Sequence, residues 1–173
     1  KTLFSFENPP GTKYISGSQD SIGIVMPGVN KLDYDCGEYW PSQITKVTDQ
    51  AILCFIEKHL WFITLSPRDS SYDVLSGTNI NSDNAKALAD AASECWEAIL
   101  NMNTENFGNA FRKSFEAQIA MFPNMVNPSI LDQIEEYRPH VLGWKLSGAG
   151  GGGYLVLISE TPIPNAMQVR IRT

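Results

Sequence analysis

The chain has 173 residues, of which 43% are apolar and 18% are charged, enough to form a domain with a hydrophobic core. Its formal net charge of −6 argues against general binding to nucleic acids or anionic membranes, because both require a basic surface. The apolar stretches are too short to span a bilayer. The two histidines and three cysteines lack zinc-ligand spacing, and the odd, widely spaced cysteines predict reduced thiols in the cytoplasm.

The first third of the chain predicts short elements. Small polar residues at 16–18 cap a helix over about 19–26, and Pro27-Gly28 ends it. Apolar patterning then predicts, in chain order, a strand at 29–34, a strand at 44–48, a short helix capped by Asp49, and a buried strand at 60–65.

The middle of the chain predicts longer helices. Leu88, Ala91, Ala92, Cys95 and Ile99 recur at helical spacing between residues 82 and 101. A second helix starts at residue 104, and its aromatic stripe indicates core packing rather than a cofactor site: Phe107, Phe111, Phe115, Ile119 and Phe122.

The last third predicts one more helix and two or three strands. Asn127 and Pro128 are a good cap and first-turn pair for a helix at about 129–137. Strands follow at 141–146, 153–158 and 167–171. Strands, then helices, then strands predict an α+β fold in which helices pack on one face of a mainly antiparallel sheet.

The most unusual feature is a glycine run, since five of the six residues at 148–153 are glycine in a chain with 13 in total. Gly148, Gly150 and Gly153 fit the dinucleotide pattern, but the run leads into a strand and not into a helix. A Walker P-loop is excluded because no Gly-Lys-Ser/Thr closes the run. A tight strand–strand connection needs only two or three glycines, and backbone amides in such runs bind anions.

Residues 145–153 (KLSGAGGGG) resemble the third signature of the galactokinase, homoserine kinase, mevalonate kinase and phosphomevalonate kinase (GHMP) superfamily. A second segment supports this resemblance. Residues 16–23 (SGSQDSIG), followed by Gly28, are similar to the segment that holds the catalytic aspartate in the galactokinase, fucokinase and heptose-phosphate kinase branch. Ser21 departs from the glutamine usual in sugar kinases, which leaves the sugar open.

The resemblance implies an ATP-dependent kinase that transfers the γ-phosphate to a hydroxyl of a sugar or sugar phosphate. Asp20 would act as the base or orient the hydroxyl. Amides of Ser147, Gly148, Ala149, Gly150 and Gly151 would face the phosphate oxygens.

The first two superfamily signatures, which carry most of the nucleotide pocket and the Mg²⁺ ligands, are absent. We therefore expect a ferredoxin-like C-terminal domain at 29–173, preceded by a junction segment at 1–28. The start at Lys1 likewise suggests a longer protein whose N-terminal half is required for activity. The alternative is a non-catalytic ligand-binding or regulatory module of the same fold. The chain is expected to be cytoplasmic, and a homodimer is compatible with it.

Two basic residues, Arg68 and Lys145, each have two possible roles. Arg68 and Tyr72 follow a buried strand, where a similar segment lies in some relatives, and could contact sugar or phosphate. The simpler interpretation is a solvated loop turned by Pro67 and capped by Ser70 or Ser71. Lys145 is equally compatible with a phosphate contact and with solvent exposure. No cation near the phosphates is evident from the sequence.

Overall fold

A computed structural model describes residues 1–13, 15–68 and 71–173. Ser70, one of the predicted capping residues, lies outside the described residues. The chain divides into two compact units. The first comprises Lys1–Leu53 with Arg170–Thr173, and the second comprises Cys54–Val169.

The first unit contains two short helices and a two-stranded antiparallel sheet: α1 (Thr2–Glu7), α2 (Ser18–Val25), β1 (Val29–Asp33) and β2 (Gln43–Val47). Hydroxyls hold α2 in place, since Ser21 Oγ donates to Glu7 Oε2 at 2.7 Å and Ser18 Oγ lies 2.9 Å from Tyr34 Oη. Sequence patterning did not predict α1. That helix has no side-chain cap and no buried residue, so it carries neither of the usual signals.

The second unit contains most of the secondary structure. The helices are α3 (Gln50–His59, which begins in the first unit), α4 (Ser82–Leu100), α5 (Thr104–Met121) and α6 (Pro128–Tyr137), with 3₁₀ turns at Pro123–Met125 and Arg138–His140. The strands are β3 (Leu60–Thr64), β4 (Gly143–Leu146), β5 (Tyr154–Ile158) and β6 (Met167–Gln168). They pair antiparallel in the order β4-β5-β3-β6, which confirms the predicted α+β class.

Three helices of the second unit begin in the same way. Asn81, Asn103 and Asn127 precede α4, α5 and α6, and each side chain accepts a hydrogen bond at 2.9 Å from the amide three residues later. This bond satisfies one of the free amides of the first turn. The predicted cap at Asn127 is therefore confirmed. Among the described residues, no helix is long and apolar enough to cross a membrane.

The core of the second unit forms around β5, where Leu155, Leu157 and Ile158 are fully buried. The aromatic stripe of α5 packs into the interior as predicted, with Phe107 and Phe115 buried. One predicted inward residue of α4, Ala92, is exposed, and Ala98 is buried instead.

The last strand is shorter than the predicted 167–171. The chain leaves the sheet after β6, and Arg172 in the first unit accepts a hydrogen bond at 2.8 Å from the amide of Gly28. The amide of Val169 still donates to the Leu60 carbonyl at 3.2 Å, one residue beyond the end of β6. Local patterning therefore predicts the place of this strand but overestimates its length.

Helix α5 approaches β4 so closely that both backbones need glycine. A Cβ on Gly108 would lie 2.6 Å from the carbonyl group of Leu142, and a Cβ on Gly143 would overlap the backbone of Gly108. Neither neighbour is the flexible end of a side chain, so the overlap could be relieved only by moving the helix or the strand.

We predict that Gly108→Ala lowers the free energy of unfolding by about 1–3 kcal/mol, the usual cost of overpacking. Gly23→Ala in α2 is the matched control, because a Cβ there meets nothing within 4 Å and alanine favours a helix. Chemical denaturation followed by circular dichroism and tryptophan fluorescence measures both. Equal stability of Gly108→Ala and the wild type would contradict the close packing.

Candidate functional site

The glycine run connects two antiparallel neighbours, β4 and β5. The amide of Ser147 donates to the carbonyl of Tyr154 at 3.0 Å and continues the ladder to the base of the loop. Residues 148–153 then form the loop itself. The run therefore forms the strand–strand connection considered from sequence. Such a connection needs only two or three glycines, so the other glycines require a separate explanation.

The backbone of the loop alternates in hand at its start. Gly148 has φ +66° and Gly150 has φ +72°, whereas Ala149 between them has no positive φ. The sign of φ alternates in the same way in anion-binding nests, where right-handed and left-handed residues turn successive amides toward one concave side. Left-handed angles are accessible to glycine without steric cost.

Only part of the loop has free amides. The Ser147 amide pairs within the sheet, and the Gly151 amide donates to the carbonyl of Met125 at 2.8 Å. Within the described part of the chain, the amides of Gly148, Ala149 and Gly150 make no hydrogen bond of normal geometry, although the turn at residues 148–149 brings the Gly150 amide toward the Ser147 carbonyl. Of the five amides expected to face phosphate, three consecutive ones are therefore available for an anion.

Two side chains from the segment after β3 hold the carbonyl side of the loop. Arg68 Nε donates to the Gly150 carbonyl at 2.7 Å, and Tyr72 Oη donates to the Ala149 carbonyl at 2.5 Å. The Arg68 guanidinium also lies over the Tyr72 ring, 5.9 Å from its centroid. The solvated-loop interpretation is therefore wrong for these two residues, because both contact the glycine loop.

Packing explains three of the glycines. A Cβ on Gly150 would lie 2.7 Å from the carbonyl oxygen of Met125. A Cβ on Gly151 would overlap the Tyr72 ring, and one on Gly152 would overlap the carbonyl of Ser66. Gly148 differs, because the nearest atom to its added Cβ is Arg68 Nη2 at 3.8 Å. The space beside Gly148 is thus open to a ligand.

The two basic residues of the region have different positions. Arg68 is exposed and its Nη2 lies beside Gly148, so the cation near the free amides is a residue that the sequence indicated as a candidate phosphate contact. Lys145 is half-buried, where its Nζ donates to Ser114 Oγ at 3.1 Å and lies 5.8 Å from the centroid of the Phe111 ring. Burial lowers the pKa of Lys145, and nearby Cys95 raises it by a smaller amount. The Lys145 ammonium thus contacts Ser114 and Phe111, so full solvent exposure is not observed.

A cavity of about 300 Å³ adjoins the far end of the loop. Gly151 and Gly152 form part of its wall together with Tyr72, and the first turn of α6 forms another part. Small-molecule sites begin at about this volume. The described polar side chains that line it are uncharged: Ser66, Ser71, Tyr72, Asn127, Ser129 and Gln133.

Asp20, the predicted catalytic carboxylate, belongs to the first unit. It lies in the first turn of α2 with an exposed side chain, whereas the neighbouring Ser21 is buried against Glu7. The position after Asp20 is therefore occupied by a residue with a structural hydrogen bond. Among the described residues, no three His, Cys, Asp or Glu side chains lie together as a metal site.

Comparison with known proteins identifies relatives with kinase names. The sequence matches no protein-family model. It is 28% identical over 165 residues to the L-fucokinase/L-fucose-1-P guanylyltransferase of Bacteroides fragilis, covering 90% of this chain and 17% of that protein. It is 22% identical over 153 residues to the bifunctional fucokinase/GDP-fucose pyrophosphorylase of Arabidopsis thaliana, covering 83% of this chain and 14% of that protein.

The fold has a counterpart among solved structures. The crystal structure of the "Putative Sugar Kinase" of Campylobacter jejuni superposes with a TM-score of 0.58 at 18% identity, covering 92% of this chain and 44% of that one. The predicted resemblance is confirmed: the chain is similar in sequence to two fucokinases and shares its fold with a sugar kinase structure. It spans less than a fifth of the length of the two fucokinase relatives.

We predict that Gly150→Ala destabilises the fold more than Gly148→Ala does. Both substitutions place alanine at a left-handed φ, which costs about 1–2 kcal/mol. Only Gly150→Ala adds an overlap with the Met125 backbone, which costs about 1–3 kcal/mol more. Denaturant unfolding compares the two variants. Equal losses would show that packing does not distinguish the two glycines.

Proposed function

We propose that this domain contributes the phosphate-binding loop of an ATP-dependent sugar or sugar-phosphate kinase. The observation that carries the proposal is the group of three consecutive free amides at Gly148–Gly150 with the Arg68 guanidinium beside them. Phosphoryl transfer depends mainly on positioning and on neutralising charge at the transferring group, and amides with an adjacent cation supply both. The kinase names of the relatives support the same reaction class.

In this proposal Arg68 and the loop amides bind phosphate oxygens of the nucleotide or of the product. The loop has an open approach at Gly148, because among the described residues only Arg68 Nη2 lies within 4 Å of an added Cβ, at 3.8 Å. The adjoining cavity at Gly151 and Gly152 offers neutral hydroxyl and amide groups, which suit the polar, uncharged part of a phosphate-bearing ligand.

Asp20 is proposed to accept the proton of the attacking sugar hydroxyl or to orient that hydroxyl. Its exposed position in the first turn of α2 leaves the carboxylate accessible to substrate. Proton acceptance in the transition state is what a positioned carboxylate contributes to such a transfer. The nucleotide pocket and the Mg²⁺ ligands are proposed to lie in an N-terminal half, as the resemblance implies.

We predict that Arg68→Gln weakens binding of inorganic phosphate to the chain by about ten-fold, the effect of losing one charge-assisted hydrogen bond. Nuclear magnetic resonance titration of the amides of Gly148, Ala149 and Gly150 measures the affinity. Lys145→Met is the matched control, because the Lys145 ammonium contacts Ser114 instead of the loop. Equal affinity in Arg68→Gln and the wild type would remove Arg68 from the phosphate site.

We predict that Asp20→Asn lowers turnover by about 10²–10⁴-fold in the gene product that contains this chain, with little change in ATP affinity. Asparagine keeps the shape of the side chain and cannot accept the proton. A coupled assay for ADP formation with a panel of sugars measures turnover, and nucleotide titration measures affinity. Glu7→Gln tests the alternative carboxylate of the same unit. Turnover retained in Asp20→Asn would exclude the role of Asp20, and ligand binding without turnover in the wild type would favour a binding module.

A further inference from the structure

The orientation of the loop amides follows from the geometry of the peptide bond. The described chain has no cis peptide bond, so the carbonyl and the following amide point in opposite directions across each peptide plane. A side chain that fixes a carbonyl therefore also fixes the direction of the amide in the same peptide. This rule applies to the two peptides on either side of Gly150.

The peptide that joins Gly150 to Gly151 is held at both ends. Its carbonyl accepts from Arg68 Nε at 2.7 Å, and its amide donates to the Met125 carbonyl at 2.8 Å. Arg68 and Met125 therefore lie on opposite sides of this peptide, which fixes its plane. Its two polar groups are satisfied, so it has a structural role and offers nothing to a ligand.

The peptide that joins Ala149 to Gly150 is held at one end only. Its carbonyl accepts from Tyr72 Oη at 2.5 Å, and within the described residues its amide, the N–H of Gly150, makes no hydrogen bond of normal geometry. The N–H must point away from Tyr72. Because Gly148 and Gly150 have left-handed φ values, this is the same amide that completes the nest.

We infer that Tyr72 is a positioning residue that directs the Gly150 amide toward bound phosphate through its hydrogen bond to the Ala149 carbonyl. The inference rests on the proposed phosphate site and adds to it a residue that touches no ligand. Without the hydroxyl, the peptide between Ala149 and Gly150 is less restrained, because Gly150 on one side of it tolerates many φ angles. The Gly150 amide is then no longer preorganised as a donor, and phosphate binding has to order it.

The surroundings of Tyr72 suit this role. Its side chain is half-buried, and burial raises the pKa of the hydroxyl, an effect reduced by the Arg68 charge and increased by that of Asp73. The hydroxyl therefore stays protonated and donates throughout the neutral range. Its ring fills the space that a side chain at position 151 would need, so the hydroxyl and the ring contact two residues of the loop, Ala149 and Gly151.

The test is Tyr72→Phe, which removes the hydroxyl and keeps the ring packed against Gly151. Tyr154→Phe is the matched control, since within the described chain the Tyr154 hydroxyl makes no hydrogen bond although the residue directly follows the loop. Inorganic phosphate is titrated into each ¹⁵N-labelled chain. Unfolding by denaturant reports the stability of the same samples.

We expect Tyr72→Phe to raise the Kd for phosphate by about three- to ten-fold, the loss of one neutral hydrogen bond. The phosphate-induced shift of the Gly150 amide should shrink, while that of Gly148 persists. Tyr154→Phe should match the wild type. An unchanged Gly150 shift and Kd in Tyr72→Phe would overturn the role of Tyr72, whereas a wild type without phosphate-induced shifts at 148–150 would overturn the phosphate site itself. If all three loop amides lose their shifts together with stability, the hydroxyl only stabilises the fold and the inference is wrong.

Discussion

The glycine loop between β4 and β5 is held by hydrogen bonds on two sides. Met125 accepts from one face of the loop, while Arg68 and Tyr72 donate to carbonyls on the other. Since a trans peptide has its carbonyl and amide on opposite sides, these three contacts settle which backbone groups remain free. The free groups are three neighbouring amides, which are the basis of the proposed anion site.

The glycines of the run serve two physical purposes. Gly150, Gly151 and Gly152 make room for Met125, Tyr72 and Ser66, so they are required by packing even in the absence of a ligand. Gly148 has open space around it, and its left-handed angle favours glycine. A dense run of glycine can therefore combine packing constraints with a binding site, and composition alone does not separate them.

The two basic residues of this region also differ in their positions. The basic residue inside the signature, Lys145, lies among Ser114, Phe111 and Cys95, where burial lowers its pKa. The basic residue beside the free amides is Arg68, 80 positions away from Gly148 in the chain and brought there by β3. A chain with a net charge of −6 can still offer a local anion site, because short-range geometry outweighs the distant charges that solvent screens.

The sequence by itself predicted most of the local elements and the resemblance to kinases. Helical periodicity predicted α4, α5 and α6, the cap at Asn127 followed from its side-chain oxygen, and residues 145–153 were specific enough to predict the superfamily. These features depend on neighbours close in the chain. Only the tertiary structure decided that Arg68 and Tyr72 hold the loop, that Lys145 is buried and that β6 ends early. Each of those outcomes depends on contacts between groups that are far apart in sequence. Local patterning contains no information about such contacts.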